Sequence, residues 1–285
     1  MQVELAEERL FRLTDRFTQG YAETAAWDKR VEAFGTLARV TGLFSQGGAQ
    51  DYELVYREQR LQPFWRLTVS TSARYERTRS YAIKVPAEVQ QVTIGEQTLA
   101  ATAGQITVTG LEACHEEGRR ETLVDGLTKH VEPGLAGYLQ HEAREITAAD
   151  LAAATANDGF VVVPPQAKAS MVVRDVVAGA IGKIDADRVL EELVRVEAVD
   201  LFYRPIHAFR YRRGAKDGAK EAVVEFDGVT GVATVGGTTF EQYLGKVLDP
   251  HFLLDVGGEA LSLVIPGANI AKLLIVKGME MRQKR

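Results

Sequence analysis

The sequence predicts an α+β protein with an N-terminal helical pair, two related antiparallel strand-rich modules and intervening helices. Three observations carry that expectation. Apolar residues near the N-terminus recur at helical spacing, the period changes to two after Gly48, and one short motif occurs twice. The motif is Leu123-Val124-Asp125-Gly126-Leu127-Thr128, and again Glu225-Phe226-Asp227-Gly228-Val229-Thr230. Each copy follows a Tyr-Arg segment with a proline and an aromatic cluster: Tyr56-Arg57 to Pro63-Phe64-Trp65 in one, Tyr203-Arg204-Pro205 to Phe209 in the other. Each is followed by a Tyr-Leu pair, Tyr138-Leu139 and Tyr243-Leu244. A correspondence of this extent points to internal duplication of a folding unit.

Four regions follow from the changes of pattern: a helical region over 1–48, a first strand-rich module over 49–145, a second module over 146–245 and a C-terminal packing segment over 246–285. Between Val3 and Phe17, Leu10, Leu13 and Phe17 recur at three and four with charges between them, the spacing of a helix with one buried face. A second helix is expected through Trp27, Val31, Phe34 and Ala38, ended by Gly42 and the Gly47-Gly48 pair.

Strands are then expected around Tyr52 to Tyr56, over Phe64 to Val69 and over Tyr81 to Val85, with Pro86 at a strand end. Val89 to Ile94 and Gln105 to Val108, with Gly95, Gly104 and Gly110 as turn points, read as a hairpin inserted into the first module. Thr147-Ala148-Ala149-Asp150 has the spacing of a capping box with Asp in place of Glu, which starts a helix running to Ala156. Phe160 to Val163 is a short apolar strand, Gln166 to Ala180 a helix, and Leu193 to Tyr211 two strands broken near Pro205. Glu221 to Phe226 completes a meander turned at Asp227-Gly228, where the glycine accepts backbone angles that other residues resist.

The segment from Lys168 to Gly237, ending in Val224-Glu225-Phe226-Asp227-Gly228-Val229-Thr230-Gly231-Val232, resembles the PepSY type of small module. That family orders one helix and three strands and closes on a V-x-V-D-x-x-T-G pattern. The resemblance covers roughly a quarter of the chain, and the first copy of the motif departs from it, with Lys129 where the last glycine stands. Such modules are associated with binding and regulation of partners. The resemblance therefore implies interaction and carries over no site residues.

The chain has 285 residues, 46% of them hydrophobic and 26% charged, with a formal charge of -5. That balance describes a folded protein with its own core and argues against a dedicated nucleic-acid binder. A single cysteine, Cys114, forbids an intramolecular disulfide and suggests a reducing compartment. The acidic, amphipathic start Met1 to Arg9 lacks the basic and apolar regions of an export signal, and the apolar run Leu261 to Val276 is interrupted by Pro266, Gly267, Asn269 and Lys272. A cytoplasmic protein without a transmembrane segment is expected.

Chemistry-bearing motifs are sparse. The chain lacks a Gly-x-Ser-x-Gly elbow, a His-Glu-x-x-His pair and Cys-x-x-Cys pairs, and the glycine-rich stretch Gly231 to Thr238 has Gly237 where a phosphate loop needs its lysine. Cys114-His115-Glu116-Glu117 combines thiol, imidazole and carboxylates, but neighbours along a strand face opposite ways; His130 and His141 are distant metal ligands without diagnostic spacing. Glu191, Glu192 and Glu197 read as a solvated edge. Arginines interleave with aromatics twice. One set surrounds Arg57, Arg60, Trp65, Arg66, Arg74, Tyr75, Arg77 and Arg79, the other Phe202 to Lys216. The interaction surface expected from them comprises Arg57, Arg66, Arg204, Arg210, Tyr211, Arg212 and Arg213, which two modules related by a pseudo-twofold would align into one face.

The leading expectation is a noncatalytic adaptor or structural subunit that binds another protein, itself included, and uses no cofactor or metal. The alternative is binding of single-stranded nucleic acid or another polyanion through the Arg-aromatic faces. A cysteine-dependent enzyme built on Cys114 ranks third.

Overall fold

The computed structural model describes residues 1–35, 52–214 and 219–246, together with the backbone of Leu274–Lys277. Both strands and helices are present, as an α+β protein requires. Ten strands among the described residues form one sheet, built on a central antiparallel pair. β3 (Tyr52–Lys84) and β9 (Arg188–Arg213) pair from Tyr52↔Arg213 to Glu76↔Arg188, with irregularities at Leu54/Tyr56, Thr68/Val69 and Arg74/Tyr75. Both strands are rich in β-branched and aromatic residues, which suit a pleated surface covered on two sides.

On its outer flank β3 meets β6 (Gln105–Asp125), antiparallel and without a register shift from Phe64↔Asp125 to Lys84↔Gln105, and β8 (Val161–Val162), parallel at Arg60 and Leu61. The outer flank of β9 is shared by three strands. β1 (Gln2–Leu5) and β2 (Glu8–Leu13) run parallel to it, and β10 (Lys220–Asp227) runs antiparallel. β7 (Ala143–Ile146), β11 (Ala233–Val235) and β12 (Leu274–Lys277) extend the sheet beyond β2, β10 and β1. Beyond the end of β9 the β3–β6 ribbon continues, and the separate hairpin β4 (Gln91–Ile94) and β5 (Gln97–Ala100) connects its strands. The inserted hairpin is therefore β4–β5, while Gln105 to Val108 opens β6 and Gly110 lies within it.

The N-terminal helix expected between Val3 and Phe17 is replaced by β1 and β2. Val3 and Leu5 are buried at a spacing of two. Leu10 packs with Leu201 in one core, whereas Phe11 and Leu13 pack with Phe202 on the opposite face of the sheet. A strand covered on both faces thus reproduces helical spacing. The second expected helix exists as α1 (Gln19–Ala33), started by Thr18, whose hydroxyl accepts from the Tyr21 N–H at 3.3 Å. Ala38, Gly42 and Gly47-Gly48 lie outside the described residues, as does most of 246–285.

The break expected near Pro205 is absent, and Pro63 likewise lies inside an unbroken strand. The Pro63 carbonyl accepts from Gly126 N at 3.0 Å, and the Pro205 carbonyl accepts from Gly228 N at 2.9 Å. Both prolines therefore direct their polar backbone away from the β3–β9 ladder, toward flanks where one neighbour strand ends and the next begins. An absent N–H costs nothing at such a gap. β9 is consequently one strand through Pro205, and β3 one strand through Pro63.

Helices cover one face. α2 (Ala148–Asp158) begins at Thr147, whose hydroxyl accepts from Asp150 N while the Asp150 carboxylate accepts from Thr147 N at 2.7 Å, completing the capping box. α2 and α3 (Ala169–Ala180) bury Leu151, Val172, Val173 and Val177 against Leu61, Trp65, Leu201 and Tyr203. α1 sets Ala22 and Ala26 on Phe209, Tyr211, Val224 and Phe226. Each such large apolar side chain contributes about 1.5–3 kcal/mol when fully buried. The opposite face carries a smaller cluster of Leu13, Phe64, Leu123, Leu135, Phe202 and Val229, beneath the 3-10 segment Pro133–Gln140.

At Gly126 a Cβ would stand 2.5 Å from the Pro63 carbonyl oxygen, backbone that cannot swing aside. Gly126→Ala is expected to cost about 1–3 kcal/mol, read as a lowered urea midpoint. Gly20→Ala, with nothing within 4 Å of its Cβ, should leave the midpoint unchanged or raised.

Candidate interaction surface

Residues paired across strands share a face of the sheet, which decides where the expected surface lies. Arg66, Arg204, Arg210 and Arg212 fall on the face opposite the helices. Arg57, Tyr211 and Arg213 fall on the helical face. The seven residues do not form one continuous surface.

Most of their charges are already neutralised. Arg57 pairs with Glu23 of α1 at 3.3 Å, and Arg66 with Glu121 at 2.8 Å and Asp200 at 3.5 Å. Arg212 pairs with Glu221 at 2.9 Å and Glu53 at 3.8 Å. Arg210 reaches Glu241 at 2.5 Å and lies over the Tyr56 ring. Arg213 lies over the Tyr52 ring. Tyr211 is buried against Trp27, and burial pushes its phenol up to about 12. The strand periodicity that interleaved the residues in sequence also sorted them onto two faces.

Arg204 belongs to a half-buried network. Its guanidinium donates to the Tyr138 hydroxyl at 2.5 Å and stands 3.6 Å from Asp227, to which Tyr138 also donates. Burial first, opposed by Arg204 and supported by Asp227, raises the Tyr138 phenol to about 12. The other Asp227 oxygen accepts from Val229 N and Thr230 N at 2.9 Å. Asp125 makes the same arrangement with Leu127 N and Thr128 N. The recurring aspartate thus closes a turn in each copy.

A deeper cluster escaped the sequence reading. Arg60 and Glu58 have side chains 1% exposed and pair at 3.2 Å, with Glu225 on β10 at 2.6 Å from the same guanidinium. Arg60 also donates to Gln62 and to the Thr238 carbonyl, and Glu58 accepts from Phe240 N. The Arg60 guanidinium is thus held by Glu58, Gln62, Glu225 and the Thr238 carbonyl, and the segment around Thr238–Phe240 is fastened to the sheet by the cluster. Alternation of polar residues at Glu58, Arg60 and Gln62 was the available signal. It is the same alternation that an exposed strand face would give.

Cys114 is half-buried, with its sulfur 3.8 Å from Glu112. His115 instead approaches Ser72 at 3.3 Å and Glu117 at 3.4 Å on the other face of β6, so the neighbouring thiol and imidazole are kept apart. His141 lies beside Arg16. Among the described residues no three His, Cys, Asp or Glu side chains converge as a metal site, and no helix is long and apolar enough to cross a membrane.

What the described residues leave open is the outer edge of β6. Its cross-strand partner is β3 alone, apart from a bridge at Val124↔Val131 and the bond from Glu132 N to the Leu123 carbonyl. Beside it, a cavity of about 210 Å³ opens between β6 and α3, lined by Thr122, Val124, Val131, Met171, Val172 and Val176 among others. Val131 and Met171 are exposed apolar side chains at this groove, and Leu111 is exposed farther along β6 on the opposite face of the sheet. An unpaired strand edge beside an apolar groove can accept a further strand through main-chain hydrogen bonds.

Comparison of the chain with protein-family models, with curated proteins and with solved structures finds no match. The reading of function therefore rests on the geometry itself.

Two outcomes follow from these networks. Arg60→Ala strands the buried Glu58 carboxylate and the partly buried Glu225 and is expected to cost about 3–5 kcal/mol in denaturant unfolding, whereas Arg212→Ala, at a solvated pair, should cost under about 1 kcal/mol. The Tyr138 phenol has a folded value near 12 against an ordinary 10.0. Its contribution to stability is then complete below the unfolded value and is lost as pH rises toward the folded one. Tyr138→Phe should accordingly reduce stability at neutral pH and flatten its decline between those two values, measured by urea unfolding across alkaline pH.

Proposed function

We propose that the protein is a noncatalytic adaptor or structural subunit that engages another protein through the free edge of β6, within a reducing, cytoplasmic setting. The observation that carries this reading is the outer edge of β6, which among the described residues has no further strand beside it, with Leu111 exposed along the strand and Val131 and the groove against α3 near its C-terminal end. An edge of such length presents a row of backbone N–H and C=O groups on which a strand of matching charge can pair.

The same reading includes an origin of the architecture by duplication of a strand, helix, long strand and return strand: β2, α1, β3 and β6 in one module, β8, α3, β9 and β10 in the other. Matching connections support it. Phe64↔Asp125 on one side corresponds to Ile206↔Asp227 on the other, and Val124↔Val131 to Phe226↔Ala233. Gly126 O accepts from Gln166 N as Gly228 O accepts from Arg16 N. These correspondences set Leu61-Gln62-Pro63 against Tyr203-Arg204-Pro205, so the earlier Tyr56-Arg57 pair has no part in the repeat. The helix-plus-meander α3, β9, β10 and β11 is the part that resembles a PepSY-like module. Polyanion binding is disfavoured because the arginines it would need are paired with carboxylates or set over aromatic rings.

A photocrosslinking residue at Leu111, introduced into the full-length chain in its native host, should yield covalent protein adducts. The same probe at Lys29, on α1, should not. Equal labelling from both positions, or none from Leu111, would remove the edge as the working surface.

A further inference from the structure

The hydrogen-bonding sense of the free edge can be read from its two ends. Gly126 N bonds inward to Pro63, whereas Asp125 N and Leu123 O bond outward, to His130 O and Glu132 N. Because the β3–β6 ladder has no register shift, the alternation continues along the strand. His115, Glu117, Arg119 and Glu121 therefore aim their backbone N–H and C=O groups away from β3. Gly118, Glu116 and Arg120 bond toward it.

The charges on this stretch are arranged symmetrically in a sense opposite to self-repulsion. About Gly118 the sequence reads His115-Glu116-Glu117 on one side and Arg119-Arg120-Glu121 on the other. Reversed and laid against itself, it sets Glu117 opposite Arg119, Glu116 opposite Arg120 and His115 opposite Glu121. The ladder within the chain offers these charges little: Val69-Ser70-Thr71-Ser72-Ala73 of β3 stands opposite Arg120 to Glu116. Glu116 and Arg120 form no ion pair among the described residues, and Arg119, paired with Glu197, remains 69% exposed.

We propose that the partner on this edge is a second copy of the chain, with the two β6 strands antiparallel about a twofold axis at Gly118. This deepens the reading of the edge as a protein-binding surface and rests on it. Glu117 and Arg119 of one copy exchange main-chain hydrogen bonds with Arg119 and Glu117 of the other. Glu116 and Arg120 meet on the helical face at the closer, non-hydrogen-bonded positions. The pairing runs from Cys114 to Thr122 and stops there, because Glu132 already holds the Leu123 carbonyl. An isologous contact of this kind closes on itself as a dimer, and it covers the β6 edge from Cys114 to Thr122 in both copies. The central glycine presents no side chain at the axis.

The test is a charge exchange in the full chain, followed by light scattering and sedimentation across a concentration series. Wild type should be a dimer. Arg119→Glu with Arg120→Glu makes an all-acidic stretch, and Glu116→Arg with Glu117→Arg an all-basic one. Each variant alone should dimerise more weakly by about a hundredfold or more, and their equimolar mixture should restore a one-to-one heterodimer. Glu117→Pro removes an outward N–H without touching the β3 ladder. It should yield a folded monomer by circular dichroism.

A wild type that stays monomeric at every concentration overturns the proposal, as do variants that remain dimeric or folded variants that fail to recombine. A monomeric wild type that still crosslinks another protein from Leu111 would overturn the self-pairing while leaving the broader reading of the edge intact.

Discussion

Everything in this molecule is arranged around the antiparallel ladder between β3 and β9. It joins segments far apart in the chain, and each strand then recruits its own neighbours on its outer flank. Near its middle, Gln62 stands opposite Arg204, with Pro63 and Pro205 placed on either side of that point. Each proline marks where the outer neighbour changes, so the register of the central pair fixes where the Asp-Gly turns dock. A slip of one residue would move Trp65, Leu67, Leu201 and Tyr203 from the apolar core to the polar face. The burial of those side chains holds the register.

The two faces of the sheet use different physics. Beneath the helices the contacts are apolar and close-packed, with Trp65 spending its one polar hydrogen on the Ala167 carbonyl at 3.2 Å. The opposite face is knitted by Arg60, Glu58 and Glu225 and by Arg204, Tyr138 and Asp227. Charges removed from water gain little net stability from pairing, because desolvation offsets the attraction. They do impose a specific geometry, and the 3-10 segments Pro133–Gln140 and Glu241–Tyr243 (the latter with Phe240 at its start) are positioned through them.

The α+β class, the capping box at Thr147, the helix ending at Ala180 and the meander at Asp227-Gly228 were all legible in the residues, because each depends on local backbone chemistry. The strands β1 and β2 were not. Leu10 and Leu13 imitate a helical stripe only because two separate cores receive them, and no local rule contains that fact. Continuity through Pro63 and Pro205 was hidden for a related reason, since a proline interrupts a strand only if its missing N–H faces a neighbour. The Arg-aromatic segments were found, but their ion pairs come from Glu23, Asp200, Glu221 and Glu241 on other elements. The free edge of β6 has no signature in composition; it exists because nothing described lies beside it.

The length of the β3–β6 ribbon also bears on how the chain acquires its fold. During synthesis both strands emerge long before Arg188 to Arg213, so β3 must wait for the partner that covers its inner side. Ladders between distant segments form slowly, because loop closure precedes any gain from the contact. In that interval the ribbon exposes two edges instead of one, the circumstance in which nascent β-structure aggregates. The run Glu116-Glu117-Gly118-Arg119-Arg120 then acts as a gatekeeper, soluble and poor at recruiting apolar strands. One short charged stretch in β6 would thus protect the unfinished protein before it has any part in the finished one.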